Sequence, residues 1–222
     1  MRNRTAPLIT IEKEILNIHA NIAGAVEARL REFRSIWEKG SDKDLFIELV
    51  FCLLTPQSSA RRCWRALENL MQKGFLFNGC FADICRELVI VRFKNNKTRY
   101  LLEAREFFFS PVSRSIRDML HGCSDVMEMR EWLSKNVKGM GYKEASHFLR
   151  NIGHGDDIAI LDRHILKNML YLGLINEIPK SLPPMRYRGM ETILREYSKK
   201  VAIPLNHLDF VLWYKETGDI FK

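Results

Sequence analysis

The sequence predicts an all-α fold, and three observations support this prediction. Apolar residues recur at helical spacings along most of the 222-residue chain, and no series of alternating, strand-like segments is found. Glycine and proline residues end several of the apolar segments, as they do at helix boundaries. Two closely spaced glycines, Gly139 and Gly141, separate two helical segments. Because glycine permits a positive φ, this pattern predicts a helix, a tight hairpin and a second helix.

The first five predicted helices lie before residue 110. Thr10 and Ser41 are expected to cap the first two, and Asp44 completes a capping-box pattern with Ser41. Pro56 breaks the second helix, so residues 55–59 are predicted to form a loop. A basic turn at residues 92–97 is expected to precede the fifth helix. The predicted ranges are 10–39, 42–54, a helix that ends at 73, 81–87 and 98–109.

The later helices are predicted around the hairpin and after it. Ser124 is expected to cap the helix before the hairpin, and Gly153 to end the helix after it. Asp162 follows a short apolar run and is expected to cap the next helix. Pro204 is expected to begin the last one. The predicted ranges are 124–136, a helix from the hairpin to 152, 163–171, 186–201 and 204–214.

Lys143 is the candidate nucleophile, because it lies in the first turn of the helix after the hairpin. The positive end of the helix dipole disfavours a cation there, so it favours the neutral amine that a nucleophile needs. Asp162 supplies a carboxylate for the same site. A lysine beside a carboxylate is suited to attack on a carbon that becomes cationic. The alternatives are a lysine on the surface and an aspartate that only caps its helix.

The composition favours a polyanionic partner. The net charge is +8 and the sequence pI is about 9.3. No apolar run has the length that a membrane span needs, so no membrane association is expected. Residues 1–4 are basic, but no apolar core follows them, and no signal peptide is predicted. We therefore expect a cytoplasmic protein, associated with the nucleoid when it acts.

The cysteine and histidine residues predict no metal site. The number of cysteines is odd, and no C-x-x-C pair occurs, so neither a disulfide framework nor a zinc site is indicated. The histidines lack the spacing of metal ligands and are expected to pack in the core or to face phosphates. The residues concerned are Cys52, Cys63, Cys80, Cys85, Cys123, His147, His154, His164 and His207.

Two motifs around the hairpin resemble a known family. The sequence K-G-M-G-Y-K-E-A at residues 138–145 and I-L-D-R-H-I at 160–165 closely resemble the helix-hairpin-helix DNA glycosylases, which act in base-excision repair. Two further segments, V-R-F-K-N-N-K-T-R-Y at 91–100 and W-Y-K-E-T-G-D-I-F-K at 213–222, resemble the type-2 8-oxoguanine DNA glycosylase/lyases of archaea and some bacteria. The resemblance extends over residues 45–222, approximately.

The resemblance implies two helical subdomains with the active site in the cleft between them. One subdomain would comprise residues 1–40 and 163–222, and the other residues 41–162. It also implies a monomer that acts on damaged double-stranded DNA. Endonuclease III relatives carry four cysteines for an iron–sulfur cluster after the hairpin, and this chain does not. No cofactor is therefore expected, apart from a monovalent cation that the hairpin carbonyls often hold in this family.

The implied reaction is excision of 8-oxoguanine, followed by strand cleavage. The base would be turned out of the duplex, and Lys143 would form a Schiff base with the opened sugar. β-Elimination would then cut the strand 3′ to the abasic site. Asp162 would stabilise the positive charge on the sugar. Two alternatives remain: a glycosylase for another damaged base, and a non-catalytic helix-hairpin-helix module that only binds DNA.

The resemblance and the residue types also give candidate binding residues. Base recognition is expected from the end of the chain, where the terminal carboxylate also takes part, and from an aromatic residue within the basic turn. DNA contacts are expected from the hairpin and from the loop at residues 55–59, with a solvated basic face or a plain turn as the alternative. The candidates for the base are Lys222, Trp213, Asp209 and Phe93, and those for DNA are Gln57, Lys138, Gly139, Gly141 and Arg61.

Overall fold

The protein is all-α, as predicted. The structure is a computed structural model that describes the backbone of residues 5–222 and the side chains of residues 10–222. Residues 1–4, which entered the signal-peptide prediction, lie outside the described residues. No strand occurs in the described part of the chain. Its helices are α1 (Thr5–Lys39), α2 (Asp42–Leu54), α3 (Ala60–Gln72), α4 (Phe75–Asn78), α5 (Phe81–Glu87), a 3₁₀ turn (Leu88–Ile90), α6 (Lys94–Phe109), α7 (Ile116–His121), α8 (Val126–Asn136), α9 (Tyr142–Asn151), α10 (Arg163–Tyr171), α11 (Pro184–Lys200) and α12 (Leu205–Thr217).

Two clusters of buried apolar side chains hold these helices together. The first cluster is formed by residues between 45 and 158, and Phe46, Phe51 and Phe148 are its largest fully buried members. The second combines α1 with residues 159–212, and Phe33 stacks on Phe210 at a centroid distance of 6.4 Å. Burial of this apolar surface is the main force that favours the folded chain. The proposed subdomain boundaries stay a prediction.

Helix α9 is the element that connects the two clusters. It packs against α2 and α8 of the first cluster and against α1 of the second. Its residues Phe148 and Leu149 belong to the first cluster, whereas Tyr142 belongs to the second. Side chains on this helix therefore reach the boundary between the clusters.

Four of the predicted helix starts are wrong, and one of them is the start of α11, which lies at Pro184 and not at residue 186. Helix α1 begins at Thr5, so Thr10 lies inside the helix and does not cap it. Helix α8 is capped by Asp125, whose carboxylate accepts a hydrogen bond from the Glu128 N–H at 2.8 Å. Ser124 instead donates to the Glu128 carboxylate. Aspartate and serine cap helices about equally well, so the sequence did not distinguish these neighbours.

The fourth correction concerns the basic turn at residues 92–97. Helix α6 already begins at Lys94, so most of this segment is helical. Phe93 is its N-cap and has a φ of 57°, which is unusual for a residue other than glycine. Lys97 is turned inward and is only 3% exposed. A basic segment therefore contributes one cation to the interior.

Other predicted caps are confirmed. Ser41 and Asp44 form the capping box at the start of α2. The Asp162 carboxylate caps α10. Pro204 precedes α12, although that helix continues to Thr217, three residues beyond the predicted end, and Gly218 ends it with a φ of 68°.

The hairpin between α8 and α9 depends on one of its two glycines. Gly139 has a φ of 84°, and a Cβ at this position would lie 2.3 Å from the Tyr100 ring. The Met140 N–H donates to the Val137 carbonyl at 3.1 Å and closes the turn. Gly141 is extended and caps α9, so it does not use the positive φ expected of both glycines. The hairpin thereby fixes where α9 begins.

Candidate active site

A pocket lies where residues of the two clusters meet, and we call it the inner pocket. Its walls come from the loop between α2 and α3, from α9, from the start of α10, from α12 and from the last two residues. The lining residues are Thr55, Ser58, Ala60, Lys143, His147, Arg150, Ile160, Asp162, Ile165, Asp209, Phe210, Trp213, Phe221 and Lys222.

A larger, more open depression continues from the inner pocket, and we call it the outer groove. It has a volume of about 1730 Å³ and shares Lys143, Asp162 and Trp213 with the inner pocket. Three arginines line it without being part of the inner pocket. They are Arg61, Arg92 and Arg163. A groove with such a basic rim is suited to a phosphate backbone.

The Lys143 amine lies at the junction of the pocket and the groove. Its Nζ is 3.4 Å from the Thr55 hydroxyl and 3.2 Å from a Glu144 carboxylate oxygen, and the side chain is 24% exposed. Glu144 is itself held by the capping box of α9, where it accepts from the Gly141 N–H at 3.2 Å. The carboxylate in ion-pair contact with Lys143 is therefore Glu144, a residue that the sequence analysis did not name.

Asp162 faces the same space from the start of α10. Its Oδ1 accepts hydrogen bonds from the His164 N–H at 2.8 Å and from the Ile165 N–H at 2.9 Å. Two backbone hydrogen bonds fix the orientation of a carboxylate that lines both the pocket and the groove. Capping thus places a negative charge in the wall of the same cavity as Lys143.

Three polar side chains of α9 share one face and line the inner pocket. They are Lys143, His147 and Arg150, at positions i, i+4 and i+7 of the helix. Arg150 donates to the Asp209 carboxylate of α12 at 2.9 Å. Burial raises the pKa of Asp209 to about 6, although the Arg150 guanidinium opposes this change. A single helix face therefore brings an amine, an imidazole and an ion pair into one cavity.

The last residue is held inside the protein by its side chain. The Lys222 ammonium makes an ion pair with Glu48, and its Nζ lies 3.7 Å from the centroid of the Trp64 ring. Asn151 donates to the other Glu48 oxygen at 3.0 Å. The Lys222 side chain is only 10% exposed, so its position is well defined at the edge of the inner pocket.

A buried lysine supports the loop between α2 and α3. The Lys97 Nζ donates to the Leu54 carbonyl at 2.6 Å, the Pro56 carbonyl at 2.8 Å and the Ser58 hydroxyl at 3.0 Å. Burial lowers the pKa of Lys97 to about 8. Gln57 lies at the tip of this loop, exposed in the outer groove, with a φ of 55°. Lys97 therefore fixes the backbone on both sides of a strained residue that points to solvent.

The other predicted base residues differ in their location. Trp213 lines both the pocket and the groove, and its ring meets the His164 ring edge to face at 5.0 Å. Asp209 lies deep in the inner pocket. Phe93 is 52% exposed, stacks with Arg92 at 5.3 Å and lines neither cavity. The structure thus brings Trp213, Asp209 and Lys222 to Lys143, but it does not bring Phe93 there.

Two of the side chains predicted to contact DNA form ion pairs with carboxylates of the protein. Arg61 forms an ion pair with Asp219 at 2.6 Å and stacks on Phe221 at 4.8 Å. Lys138 is exposed in the hairpin and forms an ion pair with Glu103 at 2.9 Å. Surface ion pairs of this kind are weak, so a phosphate can displace the carboxylate. Arg61 in addition ties the C-terminal segment to α3.

The described residues contain neither a cluster of metal ligands nor a helix that could cross a membrane. No group of three or more His, Cys, Asp or Glu side chains in this part of the chain is arranged to hold a metal ion. None of the described helices combines the length and the apolar character that crossing a bilayer requires.

Comparisons with known proteins agree with this geometry. A family model described as 8-oxoguanine DNA glycosylase matches residues 26–203. The chain belongs to this family. A relative from Fusobacterium nucleatum, named 8-oxoguanine DNA glycosylase/AP lyase, is 48% identical over 209 residues, which cover 94% of this chain and 96% of the relative. A relative of the same name from Korarchaeum cryptofilum is 42% identical and covers 89% and 90% of the two chains.

Solved structures of the family share the fold. The crystal structure of the 8-oxoguanine DNA glycosylase of Thermotoga maritima has a TM-score of 0.86 and 34% identity, and the match covers 97% of this chain and 100% of that one. The Methanocaldococcus jannaschii 8-oxoguanine glycosylase/lyase, solved with a 15mer DNA that contains 8-oxoguanine, has a TM-score of 0.87 and 33% identity. That match covers 96% of this chain and all of the other.

Several residues of the site were missed by the sequence analysis. Glu144 was visible as the third residue of α9, where a glutamate completes a capping box. Arg150 was visible in the K-x-x-x-H-x-x-R spacing, which puts three polar groups on one helix face. Glu48 lies in the apolar sequence of α2, and a buried carboxylate there needed a partner. No sequence pattern indicated that Lys97 is buried, and only its place in a basic turn drew attention to it.

Proposed function

We propose that this protein excises 8-oxoguanine from double-stranded DNA and then cleaves the strand 3′ to the abasic site. The observation that carries the proposal is the position of the Lys143 amine, between a closed pocket and an open basic groove. A groove of this kind accommodates the DNA backbone, and the pocket accommodates a single base. Membership of the 8-oxoguanine DNA glycosylase family supports the same assignment.

The first step is attack by the Lys143 Nζ on C1′ of the damaged nucleotide. The amine must have given up a proton to Glu144, Asp162 or water before it attacks. As the new C–N bond forms, the C1′–N9 bond breaks and the base leaves with a proton. Positive charge develops on the sugar during this step, and the Asp162 carboxylate stabilises it. The capping hydrogen bonds hold that carboxylate in place without any rearrangement.

The second step uses the covalent intermediate. The proton that remains on the nitrogen passes to O4′ as the C1′–O4′ bond opens, and a Schiff base forms between Lys143 and C1′. The Schiff base acidifies the hydrogens on C2′. Loss of one C2′ proton expels the 3′ phosphate, which is β-elimination, and water later releases the lysine.

The inner pocket provides the contacts for the base. Trp213 offers an aromatic face at the entrance, and the Arg150–Asp209 pair supplies charge and hydrogen-bonding groups within. The backbone of Lys222 extends this polar surface, because the side chain is anchored by Glu48 and Trp64. Recognition of a turned-out base by stacking and hydrogen bonds needs this combination.

The outer groove provides the contacts for the rest of the duplex. Gln57 is proposed to fill the gap that the turned-out base leaves, since it is exposed on a firmly held loop. Arg61, Lys138 and the backbone N–H groups at Gly139 and Gly141 are proposed to contact phosphates. A monovalent cation at the hairpin carbonyls and a monomeric state remain parts of this proposal. No step of the reaction passes through the ion.

Borohydride trapping tests the proposal directly. The substrate is a duplex with one 8-oxoguanine, and the proteins are wild type, Lys143→Gln and Lys135→Gln. Lys135 is an exposed lysine of α8 that forms an ion pair with Glu131, so it controls for the loss of a surface charge. We expect a covalent protein–DNA adduct with wild type and Lys135→Gln, and none with Lys143→Gln.

The outcomes separate the alternatives. An adduct that forms only on a duplex with another damaged base would assign a different substrate to the same chemistry. Binding to duplex DNA without adduct, base release or strand cleavage on any damaged substrate would contradict the catalytic proposal and leave a DNA-binding module.

A further inference from the structure

His147 is a buried polar residue of the inner pocket that the proposed reaction does not use. Its side chain is 6% exposed and lines the pocket together with Lys143 and Arg150. The one hydrogen-bond partner of the ring in the described part of the chain is the Lys222 backbone, and the other ring nitrogen has none. Buried polar atoms without a partner are uncommon, because each one costs stability compared with an apolar atom of the same shape. The unsatisfied nitrogen therefore indicates a ligand that supplies the missing hydrogen bond.

A second unsatisfied group lines the same pocket from another helix. The Trp213 Nε1 of α12 is buried and also lacks a partner. The other polar groups nearby satisfy one another, as in the Arg150–Asp209 and Lys222–Glu48 pairs. Two elements thus leave hydrogen-bonding groups open toward one cavity. A purely apolar occupant would not satisfy them, whereas an aromatic base with polar edges would.

The position of the imidazole is set by its helix and by an aromatic neighbour. His147 follows Lys143 by one turn of α9, so it lies deeper along the same face as the nucleophile. The Phe51 ring supports it edge to face at a centroid distance of 5.6 Å. When C1′ of a nucleotide is at the Lys143 amine, the attached base extends along this face toward His147.

The surroundings keep the imidazole uncharged at neutral pH. Burial lowers the pKa of His147 well below its ordinary value of 6.5, and the nearby Arg150 and Lys143 cations lower it further. A hydrogen bond from the imidazole to the Lys222 backbone opposes this change. An uncharged imidazole has one N–H donor and one nitrogen acceptor. With its N–H directed to Lys222, the ring can accept a hydrogen bond from an N–H of the base.

We propose that His147 is a base-reading residue, whose imidazole hydrogen-bonds the polar edge of a purine turned out into the inner pocket. This inference rests on the proposed function, because it assigns a contact to the same base. It also separates two groups of pocket residues. Lys143 and Asp162 act on the sugar, whereas His147 acts on the base alone.

The test compares two substrates that differ only in the presence of the base. The first is a duplex with 8-oxoguanine, and the second is the same duplex with a preformed abasic site. His147→Leu removes both ring nitrogens, and His147→Gln retains one donor and one acceptor. We expect His147→Leu to slow base release in single turnovers about 5- to 150-fold, which is the range for one lost hydrogen bond that leaves a buried group unpaired. Its strand cleavage at the abasic site should stay within about twofold of wild type.

A matched control distinguishes base reading from packing. His154 is another half-buried histidine with an unpaired Nε2, but it lies outside both cavities, against Trp37. His154→Leu is expected to leave both rates unchanged, and His147→Gln to recover part of the base-release rate. The proposal is overturned if His147→Leu releases the base as fast as wild type. It is also overturned if the variant loses both activities equally, since that result indicates damage to the fold.

Failure of the inference and failure of the proposed function give different results. If wild type does not release 8-oxoguanine but cleaves the abasic site, the proposed substrate is wrong. If wild type performs both reactions and the His147 variants do so equally well, only the base-reading role is wrong. Circular dichroism of each variant establishes that it is folded before rates are compared.

Discussion

Two buried arginine–carboxylate pairs join the two apolar clusters, and they differ in how completely they are enclosed. Arg130 of α8 donates to both oxygens of Glu191 in α11, at 2.6 Å and 3.0 Å. Arg150 of α9 makes one contact of 2.9 Å with Asp209 in α12. The first pair lines neither cavity, whereas the second lines the inner pocket. The same pair of residue types is therefore a structural connection in one place and part of a binding wall in the other.

The surroundings of the two pairs explain the difference. The Arg130 guanidinium lies between the rings of Tyr142 and Tyr187, at 5.0 Å and 5.3 Å, and the Ala159 N–H also donates to Glu191. No pocket residue competes for these groups. The Arg150 pair also has aromatic neighbours, but one of its sides is open to the pocket. A carboxylate with a single side-chain contact retains more capacity for a ligand than one that accepts from a bidentate arginine and a backbone N–H.

The largest expected effect comes from breaking the enclosed pair. Arg130→Met leaves the Glu191 carboxylate buried without its partner, which is expected to lower the free energy of unfolding by about 3–5 kcal/mol. Urea unfolding measures the change. Arg150→Met is expected to cost less, about 2 kcal/mol, because Asp209 can take up a proton when it loses the guanidinium.

A double variant provides the control for this comparison. Arg130→Met combined with Glu191→Met removes both charges and is expected to recover most of the lost stability. Equal stability losses for Arg130→Met and Arg150→Met would show that the two pairs do not differ as their contacts suggest.

Lys97 extends the comparison to a buried cation that has no carboxylate partner. Its three hydrogen bonds go to the loop between α2 and α3, and Lys97→Met leaves the Leu54 and Pro56 carbonyls without a donor. We expect a loss of about 2 kcal/mol in the free energy of unfolding. Base excision from duplex DNA should fall more than excision from single-stranded DNA, because the role proposed for Gln57 applies only where a base stack must be filled. Unchanged activity on both substrates would contradict this supporting role.

A further effect, which depends on pH, is expected from titration of Asp209. Its pKa is raised from 3.8 to about 6 in the folded protein, so the folded state retains a proton between these values that the unfolded state has lost. The free energy of unfolding of wild type should therefore fall as the pH rises from 3.8 to 6, by up to about 1.4 kcal/mol per pH unit. Asp209→Asn lacks this group, so the difference between the two proteins isolates it. A difference that is independent of pH in this window would show that Arg150 fully compensates for burial.

Local sequence patterns were sufficient for much of the fold. The capping box at Ser41, the Asp162 cap and the glycine hairpin were predicted because their hydrogen bonds join residues a few positions apart. The starts of α1 and α8 were wrong because several residues in a row were compatible with the helix or with its cap. Such choices depend on packing against distant elements.

The arrangement of the site was harder to predict from the sequence than the fold, because its contacts join distant parts of the chain. Lys143 was identified from its motif, but its ion-pair partner Glu144 was overlooked. The contact of Lys222 with Glu48 spans 174 positions, and no local spacing indicates it. Phe93 was assigned to the base pocket from its aromatic character alone, and its side chain lies outside the cavity. The chemistry of single residues was thus predictable, whereas their pairing required the fold.

The common face of α9 holds three groups of the site at fixed distances from one another. Each residue of an α-helix advances by about 1.5 Å, so Lys143 and Arg150 are separated by about 10 Å along the axis, with His147 between them. Distance along this helix therefore corresponds to depth in the pocket, from the sugar at one end to the far edge of the base at the other. A shift of the hairpin would move all three groups together and would preserve their spacing. Substitutions within α9, by contrast, would change the size of the base that fits along this face.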